Sequence, residues 1–283
     1  MLTTPTFRVL TPAELRDALS VLDQDPVANA FVTARVLDSG LEAPQLGGEM
    51  WGWYPAGRLA SLCYSGSNLV PVRASPAALR AFARRALRDG RRCSSLVGPA
   101  DQAATLWSHL EPRWGPAREL RARQPLMVAD TVPAHVTPDP LVRPMRKDEM
   151  DLVLPAAVAM FHEEVGFSPL DAEDGGLIYQ ARVAETVGNG RCFARVEGGR
   201  VVFKAEIGAV TPHTCQLQGV WTAPDRRGQG LATAGLATVL RHALGPAGAP
   251  VVSLYVNDFN APALTVYRRL GFTEVGTLMS VLF

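Results

Sequence analysis

The sequence has few of the features that mark secreted, membrane or nucleic-acid-binding proteins. Only Lys147 and Lys204 are lysines, and 28 basic against 27 acidic residues leave a net charge of +1. General electrostatic attraction to DNA, RNA or anionic lipid is therefore excluded, and we expect neither nucleic acid nor membrane as a partner. No segment approaches the roughly 20 apolar residues of a membrane span, and residues 1–20 do not resemble a signal peptide. These absences predict a cytoplasmic protein.

The motifs of common hydrolases and metal sites are also missing. The 4 cysteines show no C-x-x-C spacing, which predicts reduced thiols. The pair His162–Glu163 lacks the second histidine of H-E-x-x-H, and there is no G-x-S-x-G elbow, so zinc-hydrolase and serine-hydrolase chemistry are excluded and no metal is expected. What is present is 47% apolar and 19% charged residues, the composition of a globular protein.

A proline- and threonine-rich stretch divides the chain. Residues 129–140 have no hydrophobic period and contain prolines at 133, 138 and 140, which resist both helices and strands. We predict a linker over 131–140 between a domain at 1–130 and a domain at 141–283. The segments on both sides follow one order of strands and helices, which predicts two copies of a single α/β plan.

The predicted elements can be given for each domain in chain order. In the first, strands are predicted at 7–10, 51–54, 59–64, 69–72, 93–97 and 119–128, and helices after residue 11 and at 25–40, 75–89 and 101–110. In the second, strands are predicted from 141 and at 192–196, 201–210, 215–222, 251–256 and 274–283, and helices at 153–164, 178–186, 231–244 and 261–270.

The segment with the clearest chemistry is a strand, a glycine turn and a helix. The strand at 215–222 leads into Arg227-Gly228-Gln229-Gly230, and an apolar-faced helix starts at Leu231. Glycines let the backbone approach a ligand closely, and the free amides and dipole of a helix start attract an anion such as a pyrophosphate. A Rossmann fingerprint is excluded because its third glycine would fall at Thr233.

Two motifs in this order resemble those of the Gcn5-related N-acetyltransferases (GNAT family). The first pattern, R/Q-x-x-G-x-G/A, is matched by Arg227, Gly230 and Ala232, and the second, N-x-x-A-x-x-x-Y-x-x-x-G-F, by Asn260, Ala263, Tyr267, Gly271 and Phe272. The resemblance covers about 141–283. In the first domain, Pro71 to Leu79 stands where the glycine turn should be, so that domain resembles a degenerate tandem partner without a phosphate-binding turn.

The resemblance implies a fold and a cosubstrate. Each domain should be a mixed, mostly antiparallel sheet with a splayed central parallel pair, flanked by helices. Acetyl-CoA should enter between the strands at 215–222 and 251–256, with Val220 N–H on the thioester carbonyl. The remaining expected contacts are with the backbone of Trp221 and Thr222, with Asn260, with Tyr267, and with the turn and helix start formed by Arg227, Gly228, Gln229, Gly230, Leu231, Ala232 and Thr233.

The catalytic residues follow in part from the same resemblance. Tyr267 stands at the position of the family's usual general acid, which protonates the leaving thiolate; the alternative is that its ring only packs. The general base stays open, because the strand at 215–222 contains no carboxylate. Glu206 is one candidate, although its apolar neighbours also fit a solvent-facing side chain, and Glu163 or Glu164 is the other.

The expected function is transfer of acetyl from acetyl-CoA to a primary amine by direct attack in a ternary complex. The acceptor, whether small molecule, peptide or protein, is left open, and both a monomer and a homodimer fit the sequence. The alternative function is a non-catalytic acyl-CoA-binding regulatory module, favoured by the missing strand carboxylate. A first domain that also binds CoA is disfavoured because it lacks the glycines.

Overall fold

The computed structural model describes residues 5–245 and 248–283, which fold into two compact units. The first unit comprises the chain through Met127 together with residues 255–260 and 274–283, and the second comprises 128–254 and 261–273. The last strand thus belongs to the first unit, although it lies at the end of the second half of the sequence. The sequence-based limits of 1–130 and 141–283 stay a prediction about the repeated plan.

The strands and helices have the following bounds. The strands are β1 (Thr6–Val9), β2 (Glu49–Tyr54), β3 (Ser61–Ser65), β4 (Asn68–Val72), β5 (Ser95–Pro99), β6 (Glu119–Ala129), β7 (Arg143–Pro144), β8 (Cys192–Glu197), β9 (Arg200–Val210), β10 (Cys215–Thr222), β11 (Val252–Tyr255) and β12 (Thr273–Leu282). The helices are α1 (Leu15–Leu22), α2 (Ala30–Ser39), α3 (Ala43–Leu46), α4 (Pro76–Asp89), α5 (Ala100–Trp114), α6 (Met150–Val165), α7 (Leu177–Gly188), α8 (Leu231–Ala243) and α9 (Ala261–Arg269).

The sheet of the first unit has the strand order β1-β2-β3-β4-β5-β12-β6. Strands β1 to β4 pair antiparallel, whereas β4 and β5 are parallel and pair only at Asn68–Ser95 and Leu69–Leu96. Helix α4 has apolar residues three or four positions apart, and this face packs on the sheet. Strand β12 pairs antiparallel with β5 and contributes Met279 and Val281 to the same core.

The sheet of the second unit has the strand order β11-β10-β9-β8-β7. Strands β7 to β10 pair antiparallel, and β10 and β11 are parallel. Helices α6 and α7 pack with β8 in one apolar cluster. Helix α8 packs close to β9 at Gly235. A Cβ built on this residue would lie only 2.4 Å from the ring of Phe203. The absence of a side chain there lets the helix approach the strand.

The predicted fold class is confirmed, because each unit has a mixed sheet flanked by helices and contains a parallel pair of strands that separates after two residue pairs. Two details differ. The helix predicted from residue 25 begins at Ala30, since the Asp25 carboxylate accepts the Ala28 N–H at 3.1 Å and holds a turn before the helix. The short helix α3 was not predicted, and Pro44 in its first turn is a local signal for it.

Candidate active site

Strand β10 carries a bulge in its second half. Its register with β9 pairs Gln218 with Glu206 and Trp221 with Lys204, so Gly219 and Val220 oppose the single residue Ala205. Gly219 has φ +60°, a left-handed conformation that favours glycine. The bulge interrupts the ladder at Val220, the residue whose N–H was predicted to contact the thioester carbonyl.

The bulge lies beside an opening in the sheet. Strands β10 and β11 pair at Cys215–Val252 and Gln216–Ser253, and no further pair between them is formed by the described residues. From residue 217 onward, β10 therefore presents backbone groups to the gap instead of to β11. Val220, Trp221 and Thr222 all lie on this part of the strand.

The glycine turn follows the bulged strand and ends at helix α8. A short 3₁₀ turn, Pro224–Arg226, precedes Arg227, and Gly228 and Gly230 both have positive φ, +74° and +81°. No described atom lies within 4 Å of a Cβ built on either glycine, so both face open space. Among the described side chains none caps α8, which leaves the amides of Leu231, Ala232 and Thr233 for a ligand.

Arg227 is held at the edge of the turn by two partners. Its Nε donates to the Thr222 carbonyl at 3.0 Å, and a terminal guanidinium nitrogen lies 2.6 Å from Glu163 Oε2. The other oxygen of Glu163 accepts from Trp221 Nε1 at 3.1 Å. Glu163 therefore joins the end of α6 to β10 and to the glycine turn. No local pattern in the sequence indicates this contact, because the paired residues are 64 positions apart.

Glu206 lies inside the second unit and is only 7% exposed, so the solvent-facing alternative is wrong. Its Oε1 is 2.6 Å from Lys204 Nζ, and its Oε2 accepts from Gln218 Nε2 at 3.3 Å. Burial and the nearby charge of Glu206 raise the pKa of Tyr179 to about 12. Sequence reasoning did not assign a role to Lys204, although its spacing of two from Glu206 on a strand places both side chains on one face.

Lys204 makes a second polar contact, to the bulge itself. Its side chain is fully buried, and Nζ donates to the Gly219 carbonyl at 3.0 Å and lies 3.5 Å from Met160 Sδ. A Cβ on Gly219 would lie 3.0 Å from Glu206 Cδ and 3.1 Å from Lys204 Nζ. The ion pair thus packs directly against the bulged backbone.

Tyr267 lies on α9 and is 7% exposed, with its ring 5.8 Å from that of Phe272. Burial, with a smaller contribution from the charge of Glu164, raises the pKa of the Tyr267 hydroxyl well above its usual range. The phenol is therefore protonated at neutral pH, the state a general acid needs. Asn260 directly precedes α9, as its predicted position before that helix requires.

The three carboxylates predicted as candidate bases lie at three different places in the structure. Glu206 lies next to the bulge, Glu163 next to the turn, and Glu164 close enough to Tyr267 to affect its titration. Two cavities of about 310 and 340 Å³ occur in the first unit, and their linings contain none of these residues. Within residues 5–245 and 248–283, no group of His, Cys, Asp and Glu side chains is arranged to hold a metal ion.

Comparison with known proteins finds a match to an acetyltransferase family in the second half of the chain. The model of the acetyltransferase (GNAT) family matches residues 156–272, and that of a domain of unknown function, DUF4081, matches residues 48–153. Among curated proteins, no sequence matches the chain. The GNAT match covers less than half of the chain, and the separate match over residues 48–153 fits a divergent first domain.

Solved structures share the fold along almost the whole chain. An acetyltransferase of the GNAT family from Colwellia psychrerythraea is 13% identical, with a TM-score of 0.55 and coverage of 98% of this chain and 99% of that one. A tandem GNAT protein from the clavulanic acid biosynthesis pathway is 15% identical, with a TM-score of 0.54 and coverage of 98% of both chains. A GCN5-related N-acetyltransferase from Kribbella flavida is 16% identical, with a TM-score of 0.53 and coverage of 89% and 95%. At these identities the likeness shows the fold. No described helix is long and apolar enough to cross a membrane.

Proposed function

We propose that the chain is an acetyl-CoA-dependent N-acetyltransferase that moves acetyl to a primary amine by direct attack in a ternary complex. The observation that carries this proposal is the bulge at Gly219 and Val220 beside the gap between β10 and β11. The open glycine turn begins at Arg227, five residues after Thr222 at the end of the same strand, which is the order that a pantetheine arm and its pyrophosphate require.

Acetyl-CoA would bind with its arm along Val220, Trp221 and Thr222. The pyrophosphate would accept hydrogen bonds from the amides of the turn and of the first residues of α8, where the helix dipole favours negative charge. The residues present fit this group, because Gly228 and Gly230 face open space and no described side chain caps the helix. Asn260 would contact the coenzyme at the start of α9.

The reaction needs one proton donor and one proton acceptor from the protein. The amine nitrogen attacks the thioester carbonyl, a C–N bond forms, and the C–S bond breaks as the electron pair leaves on sulfur. Tyr267 would protonate the thiolate, and Val220 N–H would stabilise the developing negative charge on oxygen. Glu206, directly or through water, or the Glu163/Glu164 pair would take the amine proton. Glu206 and Glu163 are both ion-paired, with Lys204 and with Arg227, so pairing does not favour one over the other.

A covalent acyl-cysteine route is disfavoured by the state of the thiols. Burial raises the pKa of Cys192 to about 12 and of Cys215 to about 11, so both are protonated at neutral pH. A protonated thiol is a poor nucleophile, and this supports direct attack by the amine.

Two measurements test the proposal. Calorimetry should show that the purified chain binds one acetyl-CoA, and free thiol should be released from acetyl-CoA when the right amine is present in a panel of small amines, peptides and proteins. No binding of acetyl-CoA would contradict the proposal. Tight binding with no thiol release on any amine would favour the non-catalytic acyl-CoA-binding module instead.

A further inference from the structure

The buried ammonium of Lys204 has a partner that an ion pair alone does not explain. Besides Glu206, it donates to the carbonyl oxygen of Gly219 at 3.0 Å. In a regular antiparallel ladder, backbone N–H groups of β9 would supply such donors, but the bulge takes Gly219 out of register. The side chain of Lys204 supplies a donor to the Gly219 carbonyl at the bulge.

This contact fixes the direction of a neighbouring N–H group. The Gly219 carbonyl and the Val220 N–H belong to one planar peptide group, and the peptide bonds of the described residues are all trans. In a trans peptide the C=O and N–H point in opposite directions. Because the carbonyl points toward the ammonium of Lys204, the Val220 N–H points away from that ammonium.

Strand β10 lies between β9 and β11 in the sheet. Pairing of β10 with β11 ends at Gln216, so no described residue of β11 pairs with Val220. Rotation of the Gly219–Val220 peptide would break the hydrogen bond from Lys204 and would turn the Val220 N–H to a different direction. Gly219 permits the arrangement through its φ of +60° and its lack of a Cβ, which would crowd Lys204 and Glu206.

We propose that Lys204 is a positioning residue that holds the Gly219–Val220 peptide so that the Val220 N–H donates to the thioester carbonyl of acetyl-CoA. Its salt bridge to Glu206 keeps the ammonium at the bulge, since the pair is buried and each charge compensates the other. This inference rests on the proposed function and adds a residue that makes no contact with the coenzyme itself.

The test compares acetyl-CoA with CoA, because only acetyl-CoA has the carbonyl that the Val220 N–H would contact. Calorimetry on the full chain gives both dissociation constants. We expect the wild type to bind acetyl-CoA more tightly than CoA, and Lys204→Met to lose about 3- to 10-fold in acetyl-CoA affinity while CoA affinity stays within about 2-fold. General damage to the site would weaken both ligands equally, so the affinity ratio isolates the positioning role.

Two further variants complete the design. Lys147→Met removes the other lysine, which is exposed, and should leave both affinities and their ratio unchanged. If Lys204→Met does not fold because Glu206 is left as an unpaired buried charge, Lys204→Met/Glu206→Gln removes both charges and should show the same loss of ratio.

Three results would overturn the inference. If a folded Lys204 variant keeps the wild-type ratio of acetyl-CoA affinity to CoA affinity, the ammonium does not orient the Val220 N–H. A wild type that binds acetyl-CoA and CoA equally would show that the amide does not contact the carbonyl, and would leave coenzyme binding intact. A wild type that binds neither ligand would contradict the proposed function as well.

Discussion

Strands β4 and β10 each pair with a parallel neighbour over two residues, and each leads into a helix, but the two connections are built differently. Between β4 and α4 lie only residues 73–75, whereas between β10 and α8 lie residues 223–230. The short connection contains Arg73 with φ +48° and no glycine, and the long one contains Gly228 and Gly230. The first unit therefore has no length of backbone to wrap around a pyrophosphate.

The two helix starts differ in the same sense. On α4, Pro76 has no N–H to donate, and the Ser75 side chain accepts the Ala78 N–H at 3.3 Å. On α8, no described side chain takes the first amides. Strand β4 also keeps an unbroken register with β3, whereas β10 is bulged. The comparison teaches that the apolar faces of strands and helices suffice to build this fold. The bulge and the open helix start are separate requirements for binding the coenzyme.

The largest effect on acetyl-CoA affinity is expected for Gly230→Glu, which closes the helix start that distinguishes the second unit from the first. The added carboxylate would stand at the helix start that should hold the pyrophosphate, and the loss of two charge-assisted hydrogen bonds predicts at least about 100-fold weaker acetyl-CoA binding by calorimetry. Gly190→Glu is the matched control, because Gly190 also has a positive φ, +67°, and no described atom within 4 Å. Unchanged affinity in a folded Gly230→Glu protein would place the coenzyme elsewhere.

The next largest effect is expected for Tyr267→Phe. This change keeps the packing of the ring and removes the proton donor, so kcat should fall about 100-fold on a confirmed acceptor while acetyl-CoA affinity and Tm hardly change. In the first unit, Tyr54→Phe removes a buried hydroxyl that has no hydrogen-bond partner among the described residues, and should leave kcat unchanged. Full turnover by Tyr267→Phe would reduce Tyr267 to a packing role.

A third prediction compares the starts of the first helices in the two units. Glu149 accepts from Arg143 at 2.6 and 2.8 Å and from Arg146 N–H at 3.0 Å, and the hydrogen bond from Arg143 is the main reason why its pKa is lowered to about 2. Glu14 accepts from Thr11 and has no comparable arginine pair. Glu149→Gln should cost about 2 kcal/mol of unfolding free energy at pH 7, and Glu14→Gln about 0.5 kcal/mol or less.

The pH dependence of this difference has a definite sign. Because the pKa of Glu149 is lowered on folding from 4.5 to about 2, its contribution is present above pH 4.5 and is lost as the pH falls toward 2. Denaturant unfolding of wild type and Glu149→Gln at several pH values should give curves that converge in acid. A gap that persists at pH 2 would show that charge is not its cause.

The smallest effect is expected for Ser75→Ala. Loss of the cap of α4 should lower the unfolding free energy by about 1 kcal/mol, as measured by denaturant unfolding. Acetyl-CoA affinity should stay unchanged, because the start of α4 is not expected to hold the coenzyme. Weaker acetyl-CoA binding in this variant would show that the first unit takes part in coenzyme binding after all.

The sequence predicted what depends on local pattern. The strand, glycine turn and helix around Gly230, and the helix that carries Tyr267, are fixed by periodicity and by glycines, and both occur where expected. The bulge was not predicted, although an isolated glycine inside a strand, here Gly219, is a recognised signal for one. The contact of Lys204 with that bulge depends on the register of β9 against β10, and a single sequence does not specify that register.

The pairing partner of β12 could not be predicted from the local sequence pattern, for a different reason. Residues 274–283 predict an apolar strand correctly, but any unpaired sheet edge satisfies such a strand. Pairing with β5, from Leu278–Pro99 to Leu282–Ser95, joins residues 179 to 187 positions apart. Only the packing of the whole chain selects that edge.

The placement of β12 also sets an order of events during synthesis. The first unit uses Met279 and Val281 in its core, and the ring of Phe283 lies 5.6 Å from that of Trp107 and 5.5 Å from that of Trp114. A ribosome that has translated only the first 130 codons has therefore not yet supplied a strand that β5 needs. Domains are usually completed from the amino terminus onward as they emerge. Here the first unit to be started cannot complete its sheet until translation has passed residue 282.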